Sequence, residues 1–284
     1  MHLQFVFICS FIAVGLSTYY LPYDQDDSAQ PKNHPYAKYV VSIQTKMPKS
    51  QYFGTNHLCV GTIVAPIYVL TASHCIFDRK RRLMRPDELV IIAGAPNRRK
   101  PTEHSRLLHI QSVYPGERES GIKFNTDLAL LRLQDQDTLE LNLTFNLGIA
   151  RLATRQSYAQ LRCIRLGWGR AQINESFAEV LVSLAMQLQP QKFCHSLYPG
   201  IYRKQLLCAT GLPDSSQGVC GGDPGGPLFC GSHLTGVYTR DVMCSNRYPA
   251  IFVSIASHYD WIQGAFSGAE KALPLLVWLS LRII

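Results

Sequence analysis

Gly221-Gly222-Asp223-Pro224-Gly225-Gly226-Pro227-Leu228 is the stretch on which the fold turns. Two earlier segments, Thr71-Ala72-Ser73-His74-Cys75 and Asp127-Leu128-Ala129-Leu130-Leu131, have to be read together with it. A lone His or Asp carries little information, whereas several matches in a fixed order carry much. Around these segments, from Tyr39 onward, short runs rich in β-branched and aromatic residues recur between turn signals. They are Val40-Val41-Ser42-Ile43, Gly61-Thr62-Ile63-Val64, Leu89-Val90-Ile91-Ile92, residues 128–133, residues 163–166, residues 234–238 and Ile251-Phe252-Val253. Many short strands without long helical patterns predict an all-β barrel or sandwich. One helix is predicted near the end, where Ile255, Tyr259, Ile262 and Phe266 recur at helical spacing after Ser254.

With 284 residues and 46% hydrophobic content, the chain can bury the core of one large domain, and no second domain is required. Residues 1–17 carry no Lys, Arg, Asp or Glu and contain an apolar run ending in small residues, which reads as a secretory signal. That run is too short to span a bilayer. Removing Cys9 with it leaves eight cysteines, an even set that suggests disulfides in an oxidising, extracellular compartment. Asn142 and Asn174 head glycosylation sequons, in agreement with secretion. Residues 18–38 are polar, without periodic apolar positions, and read as a flexible extension. Residues 267–284 form an apolar tail whose only charges are Glu270, Lys271 and Arg282. It weakly resembles a lipid-anchor signal, but its polar spacer is short and Arg282 is out of place, so no anchor is expected.

The order and context of the three segments resemble the trypsin and chymotrypsin family of serine proteases, over residues 39–266. That resemblance implies two six-stranded antiparallel β-barrels with a C-terminal helix. It places His74 on the family's general base, Asp127 on the carboxylate that orients the base, Gly222 on an oxyanion-hole donor and Pro224 on the nucleophile. All eight cysteines fall on family positions, implying the bridges Cys59–Cys75, Cys163–Cys230, Cys194–Cys208 and Cys220–Cys244. Trp168, in Gly167-Trp168-Gly169, fits as well.

Peptide hydrolysis in this fold needs a hydroxyl to attack the carbonyl, a histidine to take its proton and two backbone N–H groups to hold the oxyanion. Pro224 has no hydroxyl and no N–H. The family's activation site, a basic residue before Ile or Val, has no counterpart near residues 24–29. Asp223 therefore lacks the ammonium that the resemblance would give it, and must find another donor or another loop conformation. At the specificity pocket the resemblance places Gly218 at the base, Thr239, Arg240 and Asp241 in place of Ser-Trp-Gly, and Ala250 in place of a wall glycine.

The formal charge is +8, which favours acidic partners. Two clusters, Arg79-Lys80-Arg81-Arg82 with nearby Arg85 and Arg98-Arg99-Lys100, read as solvated loop charge or as an anion-binding exosite for sulfated polysaccharide or an acidic protein patch. Proteolytic processing after the first cluster is a third reading. No nucleic-acid motif accompanies the charge, and no metal-ligand spacing or cofactor loop stands out. The expectation is a secreted, inactive serine protease homologue that binds a protease, substrate or inhibitor as cofactor, decoy or regulator. The alternatives are an endopeptidase using another nucleophile, such as Ser215 or Ser216, or with Pro224 misread for serine, and a basic surface-binding scaffold.

Overall fold

Strands covered on both faces need apolar side chains in both directions, and this chain supplies them. The computed structural model describes residues 34–46, 54–116, 126–139, 147–155, 160–169, 178–200, 202–212, 223–240 and 248–267. β1 (Val40–Thr45), β2 (His57–Ala65), β3 (Tyr68–Thr71), β4 (Leu89–Ala93), β5 (Arg106–Pro115) and β6 (Ala129–Leu133) close into one barrel, in the order β1-β2-β3-β6-β5-β4. Every neighbouring pair in it is antiparallel. β7 (Arg151–Leu152) then leads into the second half. There β8 (Arg162–Gly167), β9 (Val182–Leu188), β10 (Leu206–Gly211), β11 (Pro227–Cys230), β12 (His233–Arg240) and β13 (Ala250–Ser254) run in the order β11-β8-β9-β10-β13-β12. Pairing of β11 with β12 closes this second six-stranded barrel, and β7 lies parallel to β12.

Alternation along the strands separates two cores. On β11, Leu228 and Cys230 enter the interior of the second barrel, while Phe229 between them joins the larger core that includes the first barrel. β12 divides in the same way between Tyr238 and Val237, and β13 between Phe252 and Val253. Closure of both sheets also removes their exposed edges.

All seven predicted strands are present, as is the C-terminal helix, α2 (Tyr259–Phe266), entered through a 3-10 turn at Ala256–His258. A second helix, α1 (Gln191–Leu197), was not expected; its seven residues bury only Cys194, too short a segment to show helical periodicity. Order also begins before Tyr39. Tyr36 stacks on Phe229 at 4.6 Å and donates its hydroxyl to the Gly231 carbonyl at 2.6 Å, so the end of the supposed extension is packed. The signal segment at 1–17, Asn142, Asn174 and the tail beyond Ser267 lie outside the described residues. No helix among the described residues is long and apolar enough to cross a membrane.

Candidate active site

Strand pairing brings His74 and Asp127 together. β3 and β6 are antiparallel, with Thr71 opposite Ala129, so the chain leaving β3 and the chain entering β6 meet at one barrel edge. His74 lies in the 3-10 turn Ser73–Ile76 that follows β3, and Cys75 in that turn is bonded to Cys59 on β2. Asp127 lies two residues before β6. His74 Nδ1 is 2.8 Å from Asp127 Oδ2, and the His74 backbone N–H donates to Asp127 Oδ1 at 2.9 Å. From the second barrel, the Thr239 hydroxyl at the end of β12 donates to Asp127 Oδ2. Burial pushes the Asp127 carboxyl up, but the hydrogen bonds from His74 and Thr239 and the His74 charge outweigh it and hold the group below the ordinary carboxylate range. Nearly half of the His74 side chain is exposed, at 46%, so its ring faces solvent while its tether is fixed.

Pro224 reaches this edge from the segment preceding β11. Its carbonyl accepts the Val60 N–H at 2.8 Å, and the Gly225 N–H donates to the Tyr238 carbonyl at the same distance. Gly225 has φ +81, and a Cβ there would lie 2.1 Å from the Val60 carbonyl oxygen and 2.3 Å from Thr71 Oγ1. Only glycine fits such a turn against a neighbouring backbone. Pro224 is thus pinned beside the end of β3, just upstream of His74, and offers neither an O–H nor an N–H to it.

Asp223 is held by another donor and by nearby basic groups. Its side chain is 2% exposed, accepts the backbone N–H of Trp168 and lies 3.4 Å from His57 Nε2. That contact is too poorly directed to count as a hydrogen bond for Nε2, which has no other partner among the described residues. His57 Nδ1 is hydrogen-bonded to Ser42 Oγ at 2.8 Å, and Gln44 donates its side-chain amide to the same oxygen at 3.1 Å. The His57 ring meets Trp168 edge-on, with centroids 5.4 Å apart. Arg98 adds a long-range positive charge: burial lowers its pKa, and the Asp223 charge works against that. Sequence reading foresaw the need for a donor but did not assign that role to the Trp168 N–H, nor place His57, held by Ser42, and the Arg98 charge around the carboxylate. Its one available signal was the position of His57, two residues before Cys59.

Other expected residues divide clearly. Ala250 is fully buried in the second barrel, and Thr239 and Arg240 are partly buried on β12. Gly218, Gly222, Asp241, Cys220, Cys244, Ser215 and Ser216 lie outside the described residues. The bridges Cys59–Cys75, Cys163–Cys230 and Cys194–Cys208 are formed. His74, Cys59 and Cys75 present ligand atoms within 4.8 Å of one another, but the two sulfurs are bonded to each other and supply no thiolate. Four of the eight basic residues of these clusters are engaged within the chain: Arg82 pairs with Asp78 and Glu88, Arg85 with Asp87 and Glu88, Arg99 with Glu179, and Arg98 donates to the carbonyls of Ala178 and Gly54. Arg79, Lys80, Arg81 and Lys100 are exposed without an ion pair among the described residues. The exosite reading therefore narrows to the loop tip at 79–81 and Lys100.

Two closed six-stranded barrels with a His–Asp pair at their junction define a protein of the serine protease fold. The sequence profile of the family described as Trypsin matches residues 25–262, and the chain belongs to that family. Its likeness to transmembrane protease serine 5 of Homo sapiens is 29% identity over 80% of this chain and 52% of the relative. Coagulation factor XII of Cavia porcellus is 29% identical over 75% of this chain, which spans 37% of that protein. Kallikrein-9 of Homo sapiens is 29% identical over 74% of this chain and 81% of its own length. The chain thus spans about half or less of the first two relatives. The structure of neuropsin, a serine protease expressed in the limbic system of mouse brain, superposes with a TM-score of 0.67, covering 82% of this chain and 97% of that one at 22% identity. That likeness bears on the fold alone.

Proposed function

We propose that this protein is a serine protease homologue that does not hydrolyse peptides and acts by binding other proteins outside the cell, as cofactor, decoy or regulator of proteolysis. Pro224 carries the reading. In this proposal it occupies the nucleophile position, where it removes both the attacking hydroxyl and one oxyanion donor. Loss of a serine nucleophile costs on the order of 10⁶ in turnover. Loss of one oxyanion donor costs about 10²–10³ alone, and the two effects do not simply multiply. His74, oriented by Asp127, keeps the geometry of a base, and Pro224 gives it no proton to take.

The Asp223 environment supports the same reading. With the Trp168 N–H, His57 and the Arg98 field around it, the carboxylate does not require a freed N-terminal ammonium. The described disulfides suit an oxidising, extracellular setting. The exposed tip Arg79-Lys80-Arg81 suits an acidic surface on a protein partner or a sulfated polysaccharide.

A peptide-mixture digestion tests the proposal. The purified protein, before and after treatment with trypsin and removal of that protease, is expected to release no products beyond those of a His74→Ala control. Reproducible cleavage that the control lacks would establish an enzyme and end the binding-only reading, including any route through Ser215 or Ser216.

A further inference from the structure

The loop that follows the His74 turn is folded into a tight hairpin whose tip carries only cations. Phe77 and Leu83 pair as an antiparallel bridge, and the Met84 N–H donates to the Ile76 carbonyl at 2.9 Å. Between them the Asp78 N–H donates to the Arg82 carbonyl and the Arg81 N–H to the Asp78 carbonyl, each at 2.9 Å. The Asp78 carboxylate clasps the turn. Its Oδ1 accepts the backbone N–H groups of Lys80 and Arg82, both at 2.8 Å, and its Oδ2 accepts Arg82 Nε at 3.1 Å.

Charge is sorted within this segment. Residues 78–88 hold five basic and three acidic side chains. Arg82 and Arg85 pair with Asp78, Asp87 and Glu88. Arg79, Lys80 and Arg81 are left exposed at the tip, with no ion pair among the described residues. Like charges on adjacent residues repel, yet the clasped turn keeps them together. Arg81 also takes φ +60, one of two non-glycine residues in the left-handed region among the described residues. Glycine adopts that conformation freely, so the turn holds a cation there at a backbone cost that glycine would avoid.

The composition of the tip selects among acidic partners. Protein interfaces centre on apolar and aromatic anchors in dry pockets, with most charge at their rim. The large apolar side chains exposed among the described residues, Leu58, Leu161, Val182 and Phe193, all belong to other segments. A purely cationic, solvated tip suits instead a ligand held by summed Coulombic attraction, with repeated anionic groups and little apolar surface.

We propose that the hairpin tip Arg79-Lys80-Arg81 is a preorganised binding site for the sulfate groups of a sulfated polysaccharide. The proposal rests on the exosite reading given above and names its ligand, and it holds whether or not the protein cuts peptides. Arg79 and Arg81 present planar guanidinium forks to sulfate oxygens, and Lys80 adds a point charge. The Asp78 clasp fixes the three backbone positions before the ligand arrives, so less freedom is lost on binding.

Calorimetric titration of the purified protein with heparin at about 0.15 M ionic strength tests the site and reads no peptide cleavage. Heparin is expected to bind. In the triple variant Arg79→Gln, Lys80→Gln, Arg81→Gly its affinity should fall about tenfold or more, the scale of lost charge-assisted contacts. Glycine at 81 removes the charge without backbone strain. A charge-matched variant at other exposed positions, Arg155→Gln, Lys192→Gln, Lys204→Gln, should bind within about twofold of the wild type. Poly-L-glutamate, an acidic polypeptide, should bind more weakly than heparin. Absence of heparin binding, equal losses in the two variants, or tighter binding of polyglutamate would overturn the proposal, the last in favour of an acidic protein surface. Should the tip variant fail to fold, arginine modification of the wild type decides the matter. Heparin should shield Arg79 and Arg81 from phenylglyoxal while Arg155 still reacts, and unchanged reactivity at all three would reject the site.

Discussion

Asp127 accepts hydrogen bonds from the His74 ring, the His74 backbone and the Thr239 hydroxyl while its side chain remains 23% exposed. A carboxyl depressed on folding contributes stability that is present above its unfolded pKa of about 4 and is lost as pH falls through the lower folded value. His74→Ala should therefore move the acid-unfolding midpoint, followed by circular dichroism, to higher pH. The expected cost near neutrality is about 1 kcal/mol, at the low end for a charged hydrogen bond because water screens the pair. An unchanged midpoint would show that the pair does not stabilise the folded state. Pro224→Ser should leave peptidase activity at the level of the His74→Ala control, because Asp223 already accepts the Trp168 N–H beside His57 and no basic residue precedes an Ile or Val near residues 24–29. Robust activity in that variant would mean that proline alone had silenced the site. At this scale the sequence made His74, Asp127 and Pro224 legible through short ordered motifs. His57 and Ser42 were not, because their partners lie 15 to 166 residues away and only folding brings them together.

The turn before β11 and the helix α2 treat glycine in opposite ways. Gly225→Ala would drive a methyl group into the Val60 carbonyl and Thr71 hydroxyl at φ +81, disturbing the backbone bonds that hold Pro224. A loss of about 3 kcal/mol or more is expected in urea unfolding. At Gly264, within α2, an added methyl group would meet nothing within 4 Å, and Gly264→Ala should instead stabilise by about 0.5–1 kcal/mol. A neutral Gly225→Ala would contradict the close approach of this turn to the first barrel. Strands with compact β-branched runs, such as β4 and β13, were readable because all of their residues are buried. β5 was missed: His109, Gln111 and Ser112 break its apolar pattern, and its burial alternates irregularly. β9 shows the same weakness, with Val182 and Ser183 exposed at its start.

Across the whole molecule, the bridges act on different lengths of chain. Cys163–Cys230 spans 67 residues and joins directly paired positions on β8 and β11, whereas Cys194–Cys208 spans 14. Loop entropy gives about 4 kcal/mol for the first and about 3 kcal/mol for the second. Replacing both cysteines of each bridge by alanine should accordingly lower the unfolding free energy more for Cys163–Cys230, and the reverse order would point to strain or residual structure in the unfolded chain. The cysteine framework and the three motifs carried the two-barrel architecture in the sequence, since matches of this kind fix fold at long range. The packing of Tyr36 on Phe229 was hidden, because the tyrosines of the polar segment 18–38 follow no strand or helix period. The most direct test of the central claim is intact mass after exposure to an active-serine phosphonate, with trypsin as the positive control. An unmodified mass is expected, since proline cannot be phosphonylated; a stoichiometric adduct that disappears in His74→Ala would contradict the account.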